Sequence, residues 1–229
     1  MSGLGGLLFG THAWPVRLRG QLADGGRILL RELRVGDQRD WLDCRTRNWD
    51  WLQEWEPTAV DKTSTPVPFR TYVRSQQVEA RAGRSLPWII EIDGRIAGAL
   101  TISQIAQGVL LSGAAGYWVA KEHAGRGVVP LALALAMDYA FDERRLHRIE
   151  VNIRPENANS LAVVRKLGFR DEGLRVRYLH INHAWRDHRT FALTTEDLDG
   201  GRLVDRSGAL GCRISDTPDL VPDPSRPAA

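Results

Sequence analysis

The chain runs to 229 residues, 43% hydrophobic, 26% charged and 7% aromatic, with a formal net charge of +3. These proportions suit an ordinary soluble globular protein with one full-sized core plus extensions. Two lone cysteines, Cys44 and Cys212, argue against a disulfide framework, a zinc site and an oxidising compartment, and no stretch approaches the ~18–20 apolar residues that span a membrane.

The first apolar patch, Leu7-Leu8-Phe9, is short and has no basic residue ahead of it, so no signal peptide and a cytoplasmic location are expected. Asp24-Gly25-Gly26 signals a turn, and Arg27–Leu33 reads as a strand. Trp41, Leu42, Trp49, Leu52 and Trp55 recur at helical spacings, which predicts one or two helices over 35–55, stopped by Pro57. Thr63–Pro68 reads as loop, and Phe69–Gly83 as a further helix. Trp88–Ile92, the hairpin signal Asp93-Gly94 and Ile96–Ile102 form a predicted β-hairpin. A strand over Val109–Val119, a helix over Gly125–Glu143 and an alternating strand over Arg148–Ile153 come next. Ser160–Leu167 is a short helix stopped by Gly168, and strands over Phe169–Ile181 and Ala184–Leu193 flank an Asn182-His183 turn. This order predicts an α/β (α+β) domain with a mixed sheet of about six to seven strands, about four helices and one parallel crossover. The domain is placed at 25–197, between an N-terminal extension (1–24) and a tail (198–229) rich in Asp, Pro, Gly and Ser.

Charge is uneven: from Thr195 onward seven acidic side chains face four basic ones, so the positive charge sits on the body. A mildly basic body suits an anionic cofactor or a transient ribosomal partner, and is too weak to propose direct nucleic-acid binding.

The clearest candidate site is the stretch from Tyr117 to Pro130, which passes from strand to turn to helix. A helix start offers unsatisfied N–H groups and a partial positive charge. Gly125 and Gly127 let backbone approach phosphate oxygens, Arg126 adds a full charge, and Pro130 loses no needed N–H in the first turn. An ordinary strand-to-helix loop would use the same glycines. The flanking segments Gly116-Tyr117-Trp118 and Asn157-Ala158-Asn159-Ser160 favour a site.

These motifs resemble the GCN5-related N-acetyltransferase (GNAT) superfamily, and within it the RimJ-type ribosomal-protein alanine N-acetyltransferases. Tyr117–Val128 resembles the family's acetyl-CoA motif. Leu146-His147-Arg148-Ile149, Asn157-x-x-Ser160, Lys166-Leu167-Gly168-Phe169 and Glu172-Gly173 resemble its second half. Trp185-Arg186-Asp187-His188 and Trp55-Glu56-Pro57 are similar to the RimJ-like branch. The resemblance covers about residues 25–195. It departs at Glu122, where the motif usually carries glutamine or arginine; a carboxylate there is expected to turn away from pyrophosphate or to pair with Lys121 or Arg126.

The resemblance implies a V-shaped splay in the sheet and direct transfer of an acetyl group from acetyl-CoA to an amine. It implies cofactor contacts from Trp118, Val119, His123, Ala124, Gly125, Arg126, Gly127, Val128, Asn157 and Ser160. Candidate acceptor-binding residues are Trp55, Glu56 and Tyr117. Glu150 is the candidate general base, with a surface strand residue or an ion-pair partner for Arg148 as the alternative. The tyrosine that related RimI-type enzymes use as general acid is Val164 here, which leaves Ser160 (otherwise a helix cap or pantetheine contact) and Tyr178 (otherwise core) as candidates. No metal is implied. The acceptor implied is a protein N-terminus, on a small-subunit ribosomal protein beginning with alanine or serine, for a monomer or homodimer. A small amine such as an antibiotic or polyamine, or a non-catalytic acyl-CoA-binding module, are the alternatives.

Overall fold

A computed structural model describes residues 14–61 and 67–208. Eight strands form one sheet: β1 (Leu18–Gln21), β2 (Arg27–Arg31), β3 (Leu86–Ile92), β4 (Arg95–Ala106), β5 (Ser112–Val119), β6 (Arg148–Ile153), β7 (Arg170–Ile181) and β8 (Ala184–Thr194). Their spatial order is β1-β2-β3-β4-β5-β6-β8-β7. Every pairing is antiparallel except β5 with β6. The helices are α1 (Gln38–Arg47), α2 (Trp49–Leu52), α3 (Phe69–Arg81), α4 (Val128–Asp142), α5 (Ala158–Leu167) and α6 (Leu203–Arg206).

The expected fold class stands, with one strand more and two single-turn helices beyond the expected four. The added strand β1 lies within the segment 1–24 and pairs with β2 from Leu18↔Leu30 to Gln21↔Arg27. Four residues with charged and glycine positions give too weak an alternation to be read alone. The strand expected over 109–119 begins only at Ser112, because Val109 and Leu110 sit at an exposed hairpin turn. Most of the loop expected over Thr63–Pro68, together with Cys212 and most of the tail, lies outside the described residues.

One helix organises the core. α4 is buried along nearly its whole length, from Val128 to Phe141. An Ala- and Leu-rich helix that is apolar all round belongs between layers. It crosses from β5 to β6 over one face of the sheet and packs against β1, β5, α5 and α6. Ile149, Val151 and Ile153 of β6 point into this core, so Arg148, Glu150 and Asn152 face the opposite side. There α1 and α3 cover β3 and β4 through a smaller cluster of Leu33, Cys44, Val73, Ile89 and Ile96, with Trp41, Phe69 and Trp118 at its margin.

The start of the expected tail is clasped to α4. Asp138, 2% exposed, accepts the backbone N–H groups of Leu203 (2.8 Å) and Val204 (3.1 Å) at the start of α6. Burial raises the carboxyl above its ordinary value, against these two bonds and Arg202. Asp138→Ala would strand two buried donors, each worth about 1–3 kcal/mol when unsatisfied. We expect a loss of about 2–4 kcal/mol in urea unfolding, and Asp138→Asn, which keeps one acceptor, should lose less.

Candidate active site

The parallel pairing of β5 with β6 runs from Ser112↔Arg148 to Ala115↔Val151 and stops there. Beyond it, Gly116–Val119 continue along β4 alone, and Asn152 and Ile153 pair only with β8. The two strands diverge, which gives the expected splay. Ala120 donates its N–H to Ala97 (2.7 Å), so by strand alternation the backbone groups of Tyr117 and Val119 point away from β4 into the gap. One of them is taken: the Trp51 indole N–H donates to the Val119 carbonyl at 3.1 Å.

The glycine turn stands at the open end of the splay. Lys121–His123 make one 3-10 turn, Ala124 is extended, and Gly125 (φ +76°) and Gly127 (φ +80°) adopt left-handed backbone that favours glycine. Gly127 caps α4, whose first residue Val128 is buried, and Pro130 falls within the first turn. A Cβ at either glycine would meet nothing within 4 Å, so the space before the turn is open. Arg126 does not stand free. Its Nε and Nη2 reach Asp24 at 2.8 and 2.7 Å, and its Nη1 lies 3.0 Å from His123 Nδ1. The Gly26 N–H and Arg126 hold the Asp24 carboxyl below its ordinary value. Burial pushes the His123 imidazole down, which favours its neutral form beside Arg126. Glu122 turns to Arg47 (3.4 Å) instead of Lys121 or Arg126. Its charge is thus drawn off the turn towards α1.

On α5, Asn157 is the N-cap: its Oδ1 accepts the Ser160 N–H at 3.0 Å. Ser160 is therefore the capped residue, not the cap. Beside it across the gap lies Tyr117, whose ring packs against the α4–α5 core. Strand alternation separates Tyr117 from the other two expected acceptor residues. Its neighbour Trp118 faces the opposite side of the sheet, against Trp41 (5.5 Å between rings) and under the Arg45 guanidinium (5.1 Å). Arg45 in turn pairs with Glu56 at 2.7 Å. Trp55 carries the Arg154 guanidinium over its ring at 4.9 Å. The Glu56–Thr58 segment is tied to the β7–β8 hairpin through Asn182 N–H to Glu56 O (3.0 Å) and Thr58 N–H to His180 O (3.0 Å).

Glu150 lies on this same face, and both its oxygens are engaged. Oε1 accepts from Arg148 Nη2 (2.8 Å) and Nε (3.1 Å), and Oε2 accepts from Arg175 Nη2 (3.1 Å). The ion-pair alternative describes its state here; to act as a base it would have to release a guanidinium. Arg148 also pairs with Glu172, whose carboxyl it pulls down to about 2, and Arg170 extends the network to Asp197. Tyr178 is half-buried on β7 and not core. Its hydroxyl accepts from Arg175 Nη1 at 2.9 Å, beneath the same guanidinium.

Arg175 was not singled out in the sequence. In a regular strand, residues three apart face opposite sides. Here the β7–β8 register shifts between Arg175 and Leu179, Arg177 takes φ +50°, and Asp187 Oδ1 accepts the Arg177 N–H at 2.8 Å. That bulge brings Arg175 and Tyr178 together, and alternation alone could not reveal it.

Residues 27–170 match the family model described as the Acetyltransferase (GNAT) domain. The chain belongs to the GNAT acetyltransferase family. It is 31% identical to Probable N-acetyltransferase YjcK of Bacillus subtilis (strain 168), over 76% of this chain and 97% of that protein. It is 28% identical to the ribosomal protein uS5 alanine N-acetyltransferase of Escherichia coli (strain K12), over 77% of this chain and 92% of that one. The solved structure of Mycobacterium smegmatis RimJ in complex with CoA-disulfide has a TM-score of 0.76 and 37% identity, covering 84% of this chain and 93% of that chain.

For a GNAT domain the acyl donor is acetyl-CoA, and the open glycine turn at the start of α4 is a fitting cradle for its pyrophosphate. Gly125→Asp would force a side chain into left-handed backbone and aim a carboxylate at that anion, in space where nothing else clashes. We expect CoA affinity in calorimetry to fall at least about tenfold with the fold intact, since one lost backbone–phosphate bond plus like-charge repulsion approaches ~1.4 kcal/mol. Unchanged affinity would remove the turn from the cofactor site.

Proposed function

We propose that this GNAT protein acetylates the N-terminal α-amine of a protein, a small-subunit ribosomal protein starting with alanine or serine, by direct transfer in a ternary complex. Bound acetyl-CoA supplies the activated acyl group. The N–H groups of the glycine turn, from His123 to Val128, hold its pyrophosphate. The Val119 and Tyr117 backbone lines its pantetheine arm, with Asn157 and Ser160 on the facing helix. Trp118 marks the boundary between donor and acceptor sides.

The observation that carries the acceptor assignment is that the carboxylates nearest Trp55, Tyr178 and the glycine turn are held by guanidinium groups. Glu56 is paired with Arg45, Glu150 with Arg148 and Arg175, and Glu122 with Arg47, while Glu54 lies 4.0 Å from Arg154. A polyamine pocket needs free carboxylates to meet several ammonium charges. A peptide N-terminus brings one amine, and the aromatic walls Trp55 and Tyr178 suit its apolar backbone stem. The names of the uS5 enzyme and of RimJ point the same way.

A peptide α-amine ionises near ~7.7–8.0, so an appreciable fraction arrives neutral at pH 7 and a strong protein base is dispensable. Glu150 then serves by holding Arg175 and, through it, Tyr178. A panel of short peptides offered with acetyl-CoA should show turnover on alanine and serine starts and little on spermidine or lysine side chains. Preference for spermidine would reverse the assignment. In Glu150→Gln we expect kcat to fall by about tenfold, the scale of one charge-assisted contact. The rise of kcat/KM with pH should still follow the amine; an acid limb that disappears in the variant would reinstate Glu150 as the base.

A further inference from the structure

Tyr117 is the second residue of β5 beyond the last β5–β6 pair, Ala115↔Val151. Its hydroxyl oxygen is shut off from solvent and has no hydrogen-bond partner of good geometry. Ser160 stands close by on the first turn of α5. Burial pushes the phenol far above its ordinary value, and Ser160 offsets only part of that. An unsatisfied buried hydroxyl is costly, and such groups call for an explanation in function or in an absent partner. Val164, one turn beyond Ser160, is fully buried and carries only methyl groups. The other phenol nearby, Tyr178, accepts a bond from Arg175 and sits with Glu150 on the opposite face of the sheet.

We infer that the Tyr117 hydroxyl, steadied by Ser160, donates the hydrogen bond that stabilises the coenzyme sulfur as it leaves. This rests on acetyl-CoA being the donor bound in the splay. In the transfer the acceptor nitrogen forms the new N–C bond, the C–S bond breaks and its electron pair goes to sulfur. The surplus proton of the amine passes to water, and the thiolate takes a proton from water on release. Tyr117 keeps its own proton throughout. A thiol ionises near ~8.5 and a buried phenol far higher, so complete transfer from phenol to sulfur would run uphill. A fixed O–H already aimed where charge develops needs no such transfer and no reorganisation.

The test reads the sulfur directly. Free CoA is bound to the wild-type protein, to Tyr117→Phe and to Ser160→Ala, and the bound thiol is titrated by its thiolate ultraviolet absorbance. We expect the thiol to ionise about one pH unit lower in the wild type than in Tyr117→Phe, with Ser160→Ala between them. CoA affinity at neutral pH should change less than about threefold, and kcat should fall about ten- to a hundredfold in Tyr117→Phe. Thermal unfolding checks that this one-oxygen change leaves the protein folded. Identical thiol titrations in wild type and Tyr117→Phe overturn the inference whatever happens to kcat, because a tyrosine that only packs does not touch the sulfur. A wild-type protein that binds no CoA overturns it together with the donor assignment. The titration needs no acceptor, so failure of the peptide assignment is seen separately in turnover.

Discussion

Everything about the site follows from the place where β5 and β6 stop pairing. Parallel strands joined by a crossover helix leave their carboxyl ends beside the next helix start, which is where open sheets take ligands. After Ala115↔Val151 the two strands separate, and α4 and α5 both begin at that end. The gap therefore has backbone polar groups along one wall and a helix N-terminus at its mouth. Interior backbone groups need partners, and the Trp51 indole meets one such need at the Val119 carbonyl. In the function proposed above, the pantetheine arm meets the others by the same chemistry.

The two faces of the sheet divide the work. Towards α4 and α5 the surroundings are dry, and Tyr117 and Ser160 lie there. Towards α1 and the β7–β8 hairpin, charge is abundant and paired: Arg45 with Glu56, Arg148 with Glu150 and Glu172, and Arg175 with Glu150. These pairs are partly buried, where the cost of desolvation offsets much of the attraction. They fix the rotamers of the side chains involved, and in the function proposed above they also remove free carboxylates from the path of the incoming amine.

Much of the architecture was legible in the chain. Alternation in Arg148–Ile153, the Asp93-Gly94 turn and the Ala/Leu-rich run after Pro130 each specify one local structure, and these are the elements that build the splay. The glycine turn was legible because positive φ restricts residue choice. Long-range pairing left no comparable mark. Arg126 reaches back to Asp24, Glu122 goes to Arg47, and Glu150 is claimed by two arginines, one of them brought round by a bulge at Arg177. Such partners depend on distances between elements that periodicity does not encode. Strand β1 escaped for a different reason, since four residues including Arg19 and Gly20 carry almost no pattern.

The clasp at Asp138 also ties the far half of α4 to the chain that follows the sheet. Asp138 lies on α4 eleven residues beyond the cap Gly127, which at 1.5 Å per residue is about 16 Å. Leu203 and Val204 are held there, away from the mouth of the splay. Loss of the clasp would release α6 and leave the turn untouched, whereas a change at Asp24, bonded to Arg126, acts on the glycine turn itself.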